Sequence, residues 1–118
     1  MEHPPEFLAL VGEARERITE LSPEDVRALV KGGAVVIDVR DKEEFGSGHI
    51  AGAVNISRGT LEMRVGEVVP DKNAQVVCYC AGGNRGALAT DTLVKMGYRN
   101  AVSIAGGLRA YEASDKNR

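Results

Sequence analysis

At 118 residues, 43% hydrophobic and 27% charged, the chain has the makeup of one ordinary globular domain that can bury a core without staples. A net charge of -2 argues against nucleic acid or an anionic membrane surface as the main partner. No run approaches the roughly 20 apolar residues of a membrane span, and Met1-Glu2-His3-Pro4-Pro5-Glu6 lacks the basic and apolar regions of a signal peptide, so the expected compartment is the cytoplasm.

Phe7, Leu8, Val11, Ala14, Ile18 and Leu21 recur at helical spacings and predict an amphipathic helix at least to Arg15. Ile18 to Leu21 either continues it or forms a short edge strand; periodicity alone leaves both open. Ser22-Pro23-Glu24-Asp25 starts a second helix, with Ser22 as N-cap, Pro23 in the first turn and Gly32-Gly33 as the stop. Ala34 to Val39 is a continuous apolar run suited to a strand buried on both faces. Asp41-Lys42-Glu43-Glu44 is a short capped helix, with Asp41 as cap and Glu44 three positions later.

Ala53 to Ile56 is a strand candidate, Thr60 to Val69 a modest helix, and Pro70 to Asn73 a turn. Gln75 to Cys80 is a further strand. Gly86 to Met96 is a helix burying Leu88, Ala89, Leu93 and Met96, stopped by Gly97. Ala101 to Ile104 is a strand, Gly106-Gly107 a turn, and Leu108 to Ala113 a last short helix, before a polar end that reads as disordered. Strands alternating with helices predict an α/β fold with a parallel sheet covered on both sides, and ligands in such sheets sit beyond the carboxyl ends of the strands. Asp38, Ser57 and Cys80 all fall at such ends.

The two cysteines, Cys78 and Cys80, are too few and too close for a disulfide framework. In a strand their Cα atoms lie roughly 6–7 Å apart, at the edge of disulfide geometry. With only His3 and His49 as imidazoles, a structural zinc site lacks ligands.

The two thiols have different surroundings. Cys78 reads as a small buried core residue. Cys80 is followed by Ala81-Gly82-Gly83-Asn84-Arg85 and then a helix. Glycines at 82, 83 and 86 let successive N–H groups converge, the helix N-terminus points the same way, and Arg85 supplies a cation. A thiol is nucleophilic only as the thiolate, which such surroundings favour, so the loop is an anion cradle around a nucleophile. Arginine in a first helical turn is unfavourable unless it answers an anion, so Arg85 is expected to contact one.

The stretches "VVIDVRDKEEFGSGHIAGAVNIS" at 35–57, "VVCYCAGGNRGALAT" at 76–90 and "LVKMGYRNAVSIAGGLRAYEAS" at 93–114 make the chain resemble a single-domain rhodanese, a rhodanese-like sulfurtransferase. The resemblance implies a three-layer fold, a mainly parallel central sheet flanked by helices on both faces. It makes Ile18 to Leu21 a short strand and divides the chain into a helical extension at 1–17, a domain at 18–114 and a tail at 115–118. The extension helix is placed outside the domain core.

The resemblance also implies that Cys80 takes a sulfane sulfur from thiosulfate or a similar donor. It would hold the sulfur as a persulfide and pass it to a thiophilic acceptor, cyanide or a thiol. The amides of Ala81, Gly82, Gly83, Asn84, Arg85 and Gly86 would stabilise the anionic sulfur, and Arg85 would orient the donor's sulfonate oxygens. This ping-pong cycle requires no cofactor and no metal. Partners would be a small-molecule donor and acceptor, with a sulfur-relay protein as a further candidate.

Two other functions compete. One is a sulfur-carrier or regulatory interaction module whose Cys80 is loaded by a partner enzyme and whose extra helix docks that partner. The other is a phosphatase or arsenate reductase, but that related group spaces its cysteine and arginine by five residues, whereas four separate Cys80 from Arg85 here. Around the loop, His49 reads as structural bracing rather than a general base, and Asp38 and Arg40 as an ion pair that positions the loop. Glu44 reads as a capping residue. Arg58 is placed either at the pocket mouth, attracting anionic donors, or on the surface.

Overall fold

The structure, a computed structural model, describes residues 3–116. In chain order it runs α1 (Pro5–Arg17), β1 (Thr19–Leu21), α2 (Pro23–Lys31), β2 (Val35–Asp38), α3 (Lys42–Gly46), β3 (Val54–Asn55), a 3-10 turn (Arg58–Thr60), α4 (Leu61–Val68), β4 (Gln75–Tyr79), α5 (Asn84–Lys95), β5 (Asn100–Ile104) and α6 (Gly107–Lys116). The five strands form one sheet in the order β1-β5-β4-β2-β3, and every pairing is parallel rather than mainly so.

The local signals act as sequence chemistry requires. Ser22 accepts the Asp25 N–H at 3.2 Å and opens α2. The Asp41 N–H is taken by the Glu44 carboxylate at 3.0 Å, closing one side of a capping box over α3. Strand alternation sorts the core into two halves. Val76, Cys78 and Cys80 pack with Leu61, Val65, Ala89 and Leu93, on the α4 and α5 side. Val77 and Tyr79 pack with Val26, Val102 and Leu108, on the α2 and α6 side. The result is a helix layer on each face of the sheet.

Three helices differ from their expected extent or placement. Helix α5 begins at Asn84, two residues before Gly86, because the loop tightens directly into the first turn; Arg85 and Gly86 are therefore helical. Helix α6 runs past Ala113 to Lys116, taking in part of the expected tail, while 117 and 118 lie outside the described residues. Helix α1, expected outside the core, packs along α5 and buries Val11 and Ala14 completely or nearly so. Its C-terminal end is held by Arg17, which donates to both oxygens of the Asp91 carboxylate on α5 at 2.8 and 2.7 Å.

The strand order positions the site. Neighbouring strands β2 and β4 lead their chains in opposite directions, β2 toward the β3 edge and β4 toward β5. Loops leaving the carboxyl ends of two such strands part from each other and leave a crevice. Cys80 follows β4, and Arg40 and α3 follow β2, so both segments open onto it.

Candidate active site

Cys80 is the first residue after β4, and only 2% of it is exposed. Its Sγ accepts two backbone N–H groups, from Gly83 at 3.1 Å and Gly86 at 3.2 Å. Among the described residues these are the loop amides that reach the sulfur; those of Ala81, Gly82, Asn84 and Arg85, expected to share the task, do not. The bend after Cys80 is tight, so the N–H groups three and six residues on turn back to the sulfur. The close fit explains one glycine: a Cβ at Gly86 would stand 3.2 Å from Tyr79 Cα and 3.3 Å from the Cys80 nitrogen, both backbone atoms.

Cys80 opens into a cavity of about 250 Å³, lined also by Ala81, Gly82, Asn84 and Arg85. Three further lining residues come from distant segments: His3, Phe7 on α1, and Arg109 on α6. Nearby, Arg15 of α1 donates to the Asn84 side-chain oxygen at 3.3 Å. No feature of the sequence around His3, Phe7, Arg15 or Arg109 marks them for the site, because the packing of α1 and α6 brings them there.

Arg85 is engaged differently from the expectation. Its guanidinium donates to both carboxylate oxygens of Glu44, at 2.9 and 3.1 Å. One carboxylate thus caps α3 and clamps the loop that follows Cys80, and the Arg85 guanidinium holds the Glu44 pKa down to about 2. Behind this pair, Arg40 donates to Asp38 through Nε and Nη2, at 3.1 and 2.8 Å, and to the Gly48 carbonyl at 2.6 Å. Asp38 is fully buried, and pairing with this guanidinium compensates its desolvation. The hydrogen bond to Asp38 raises the Arg40 pKa.

His49 donates through Nδ1 to the Phe45 carbonyl at 2.9 Å and stacks on the Phe45 ring, with centroids 3.7 Å apart. It stands away from the cavity lining. Arg58 does not reach the pocket mouth. It bonds Glu62 at 3.1 Å and Thr92 at 2.9 Å, because the 3-10 turn directs it between α4 and α5. Cys78 is wholly enclosed, and burial pushes its thiol up to about 12, so it stays protonated and inert. Among the described residues no cluster of side chains suits a metal ion.

Residues 22–114 match the family described as Rhodanese-like domain. The chain belongs to that family. Its curated relatives include the thiosulfate sulfurtransferase GlpE of Pseudomonas entomophila, 35% identical over 80% of this chain and 84% of its own. The thiosulfate sulfurtransferase PspE of Escherichia coli is 41% identical over 62% of this chain and 69% of its own. A Bacillus subtilis relative, YrkF, provisionally named a sulfur carrier protein, is 32% identical over 63% of this chain but only 39% of its own length.

Among solved structures, a Rhodopseudomonas palustris protein of unknown function, described as a possible tyrosine phosphatase, superposes with a TM-score of 0.86. It is 31% identical and covers 98% of this chain and 95% of its own. The family match begins after β1, whereas this structural neighbour is similar over a span that takes in α1 as well.

Proposed function

We propose that this rhodanese-like protein moves sulfane sulfur through a persulfide on Cys80. The observation that carries the reading is the pair of amides from Gly83 and Gly86 converging on one sulfur. Two N–H dipoles stabilise an anionic sulfur at that position, in the thiolate before loading and in the persulfide after it. The chain is a transferase of the thiosulfate sulfurtransferase kind, the activity for which its GlpE and PspE relatives are named.

The cycle balances without an added oxidant or reductant. The Cys80 thiolate attacks the outer sulfur of thiosulfate; a new S–S bond forms at Cys80, and the donor's own S–S bond breaks with its electron pair leaving on sulfite. Cyanide or a thiolate then attacks the outer persulfide sulfur, takes it as thiocyanate or a new persulfide, and returns Cys80 as thiolate. Arg85 and Glu44 brace the loop through these steps, and Ala81, Gly82, Asn84 and Arg85 line the cavity in front of the sulfur. Four residues between Cys80 and Arg85 suit one sulfur rather than a tetrahedral phosphate, which counts against the phosphatase reading.

A carrier role is the second reading, favoured by the sulfur-carrier name of the Bacillus subtilis relative. There a partner protein, not a small donor, would load Cys80. One experiment separates the cases: incubate the protein with thiosulfate, weigh it intact, then add cyanide and assay thiocyanate. A one-sulfur gain that is absent in Cys80→Ser, followed by thiocyanate, supports the transferase. Loading only from a persulfidated protein supports the carrier, and hydrolysis of an aryl phosphate without sulfur loading supports the phosphatase.

A further inference from the structure

We infer that Arg109, on α6, binds the anionic end of the sulfur donor, a task that Arg85 cannot give its full charge to. The inference deepens the sulfurtransferase reading and rests on it.

Three arginines gather near the loop, and their partners differ. Arg85 spends both terminal guanidinium nitrogens, Nη1 and Nη2, on Glu44. Arg15 is shared between Glu20, at 3.2 Å, and the Asn84 side chain. Arg109 makes no ion pair and no side-chain hydrogen bond among the described residues, yet it lines the Cys80 cavity. Its Nη1 lies against the catalytic loop itself, 3.3 Å from where a Cβ on Gly82 would be. Among the described residues no carboxylate lines that cavity. A guanidinium beside the Cys80 sulfur, with no acid from the described residues to quench it, is suited to a sulfonate or sulfate oxygen.

The placement of Arg109 is built into the backbone. The Leu108 N–H donates to the Cys80 carbonyl at 2.8 Å, and the Arg109 N–H to the Ala81 carbonyl at 3.1 Å. The start of α6 is thereby fastened to the two residues that open the loop. The approach is so close that a Cβ on Gly107 would stand 2.7 Å from both of those carbonyl oxygens, and the φ of +65° at Gly107 suits glycine for the same turn. The backbone that carries Arg109 thereby keeps a fixed spacing from the loop that carries Cys80. Such fixed spacing is what positions a donor whose reactive sulfur and charged oxygens lie at opposite ends.

The test is steady-state kinetics of Arg109→Ala and Arg109→Lys, with Arg64→Ala, an exposed arginine of α4, as the control for net charge. In a ping-pong cycle kcat/KM for each substrate reports its own half-reaction. Loss of a charge-assisted contact lowers kcat/KM for thiosulfate about tenfold in Arg109→Ala, while kcat/KM for cyanide stays within about twofold. Arg109→Lys recovers part of the loss, and Arg64→Ala leaves both values unchanged. Equal losses for both substrates, or thiosulfate kinetics like wild type, overturn the inference.

A second readout needs no turnover. Sodium sulfate slows alkylation of Cys80 by iodoacetamide in the wild type and fails to do so in Arg109→Ala. Absence of protection in the wild type, or equal protection in the variant, also overturns it. A wild type protected by sulfate but unable to form thiocyanate sinks the sulfurtransferase reading and leaves the anion site standing.

Discussion

Arg85, in the first turn of α5, donates to both oxygens of Glu44, in the first turn of α3, across 41 residues of chain. The pair joins the loops that leave β4 and β2, the two strands whose divergence makes the crevice. Because Glu44 also accepts the Asp41 N–H, one carboxylate ties the loop after Cys80 to the cap of a separate helix.

That relationship predicts a pH dependence. The Glu44 pKa lies near 2 in the folded protein, against an ordinary value of 4.5, chiefly because of the hydrogen bond from Arg85. A depressed carboxylate contributes stability that is present above its unfolded value and is lost as pH falls toward the folded one. Glu44→Gln keeps an oxygen for the Asp41 N–H and removes the charge. The gap in Tm between wild type and Glu44→Gln is therefore widest above about pH 5 and closes as pH approaches about 2. Thermal melts followed by circular dichroism across that range check it, and a gap that does not vary with pH would mean the charge contributes nothing.

The two cysteines separate cleanly. Cys78→Ala removes one enclosed atom and costs about 1 kcal/mol, but leaves sulfur loading intact. Cys80→Ser leaves stability close to wild type and abolishes loading. Intact mass after thiosulfate treatment, beside a urea melt of each variant, gives both numbers. Loading that survives Cys80→Ser would move the nucleophile elsewhere.

Two glycine-to-alanine changes are expected to act in opposite directions. At Gly107 the new Cβ meets the Cys80 and Ala81 carbonyls at 2.7 Å in a left-handed backbone, so Gly107→Ala destabilises by about 1–3 kcal/mol. It also disturbs the loop, and activity falls with it. Gly12 lies within α1 with nothing inside 4 Å of the added atom, so Gly12→Ala stabilises by about 0.5–1 kcal/mol. Urea unfolding midpoints at a common slope distinguish the two signs.

Docking of α1 depends on Arg17 meeting the Asp91 carboxylate, most of whose side chain is covered. Arg17→Ala leaves Asp91 with Lys95 at 3.2 Å, so α5 persists while α1 loses an anchor. Amide hydrogen exchange is expected to quicken through α1 and stay slow in α5. As Phe7 of α1 walls the Cys80 cavity, iodoacetamide should also reach Cys80 faster in this variant. Unchanged exchange in α1 would show that Val11 and Ala14 hold the helix by themselves.

The Cys80 loop, with amides turned back onto its sulfur, was legible because it is local. A strand, a glycine-rich bend and a helix are consecutive in the chain, and the period-2 face of β4 separates Cys80 and Cys78 from Val77 and Tyr79. The caps at Ser22 and Glu44 are local as well, set within three residues of chain. Which loop amides reach the sulfur was not legible, since that turns on tenths of an ångström in the bend. Glu44 was half legible: its cap follows from spacing, but its hold on Arg85 requires β2 and β4 to be neighbours. Arg58 shows the reverse, a cation near the site in sequence that a single 3-10 turn directs elsewhere.

By itself, then, the amino-acid sequence determined the candidate site: a thiol at a strand end, a glycine-rich bend that turns amides back on it, and the family to which that pattern belongs. Tertiary structure alone decided what surrounds the sulfur. Phe7 and Arg109 lie 73 residues before and 29 residues after Cys80 in the chain. They meet it because α1 packs on α5 and because α6 starts against the loop carbonyls. Strand order and helix docking set such contacts through the summed burial of many side chains, and no short stretch of sequence encodes that sum.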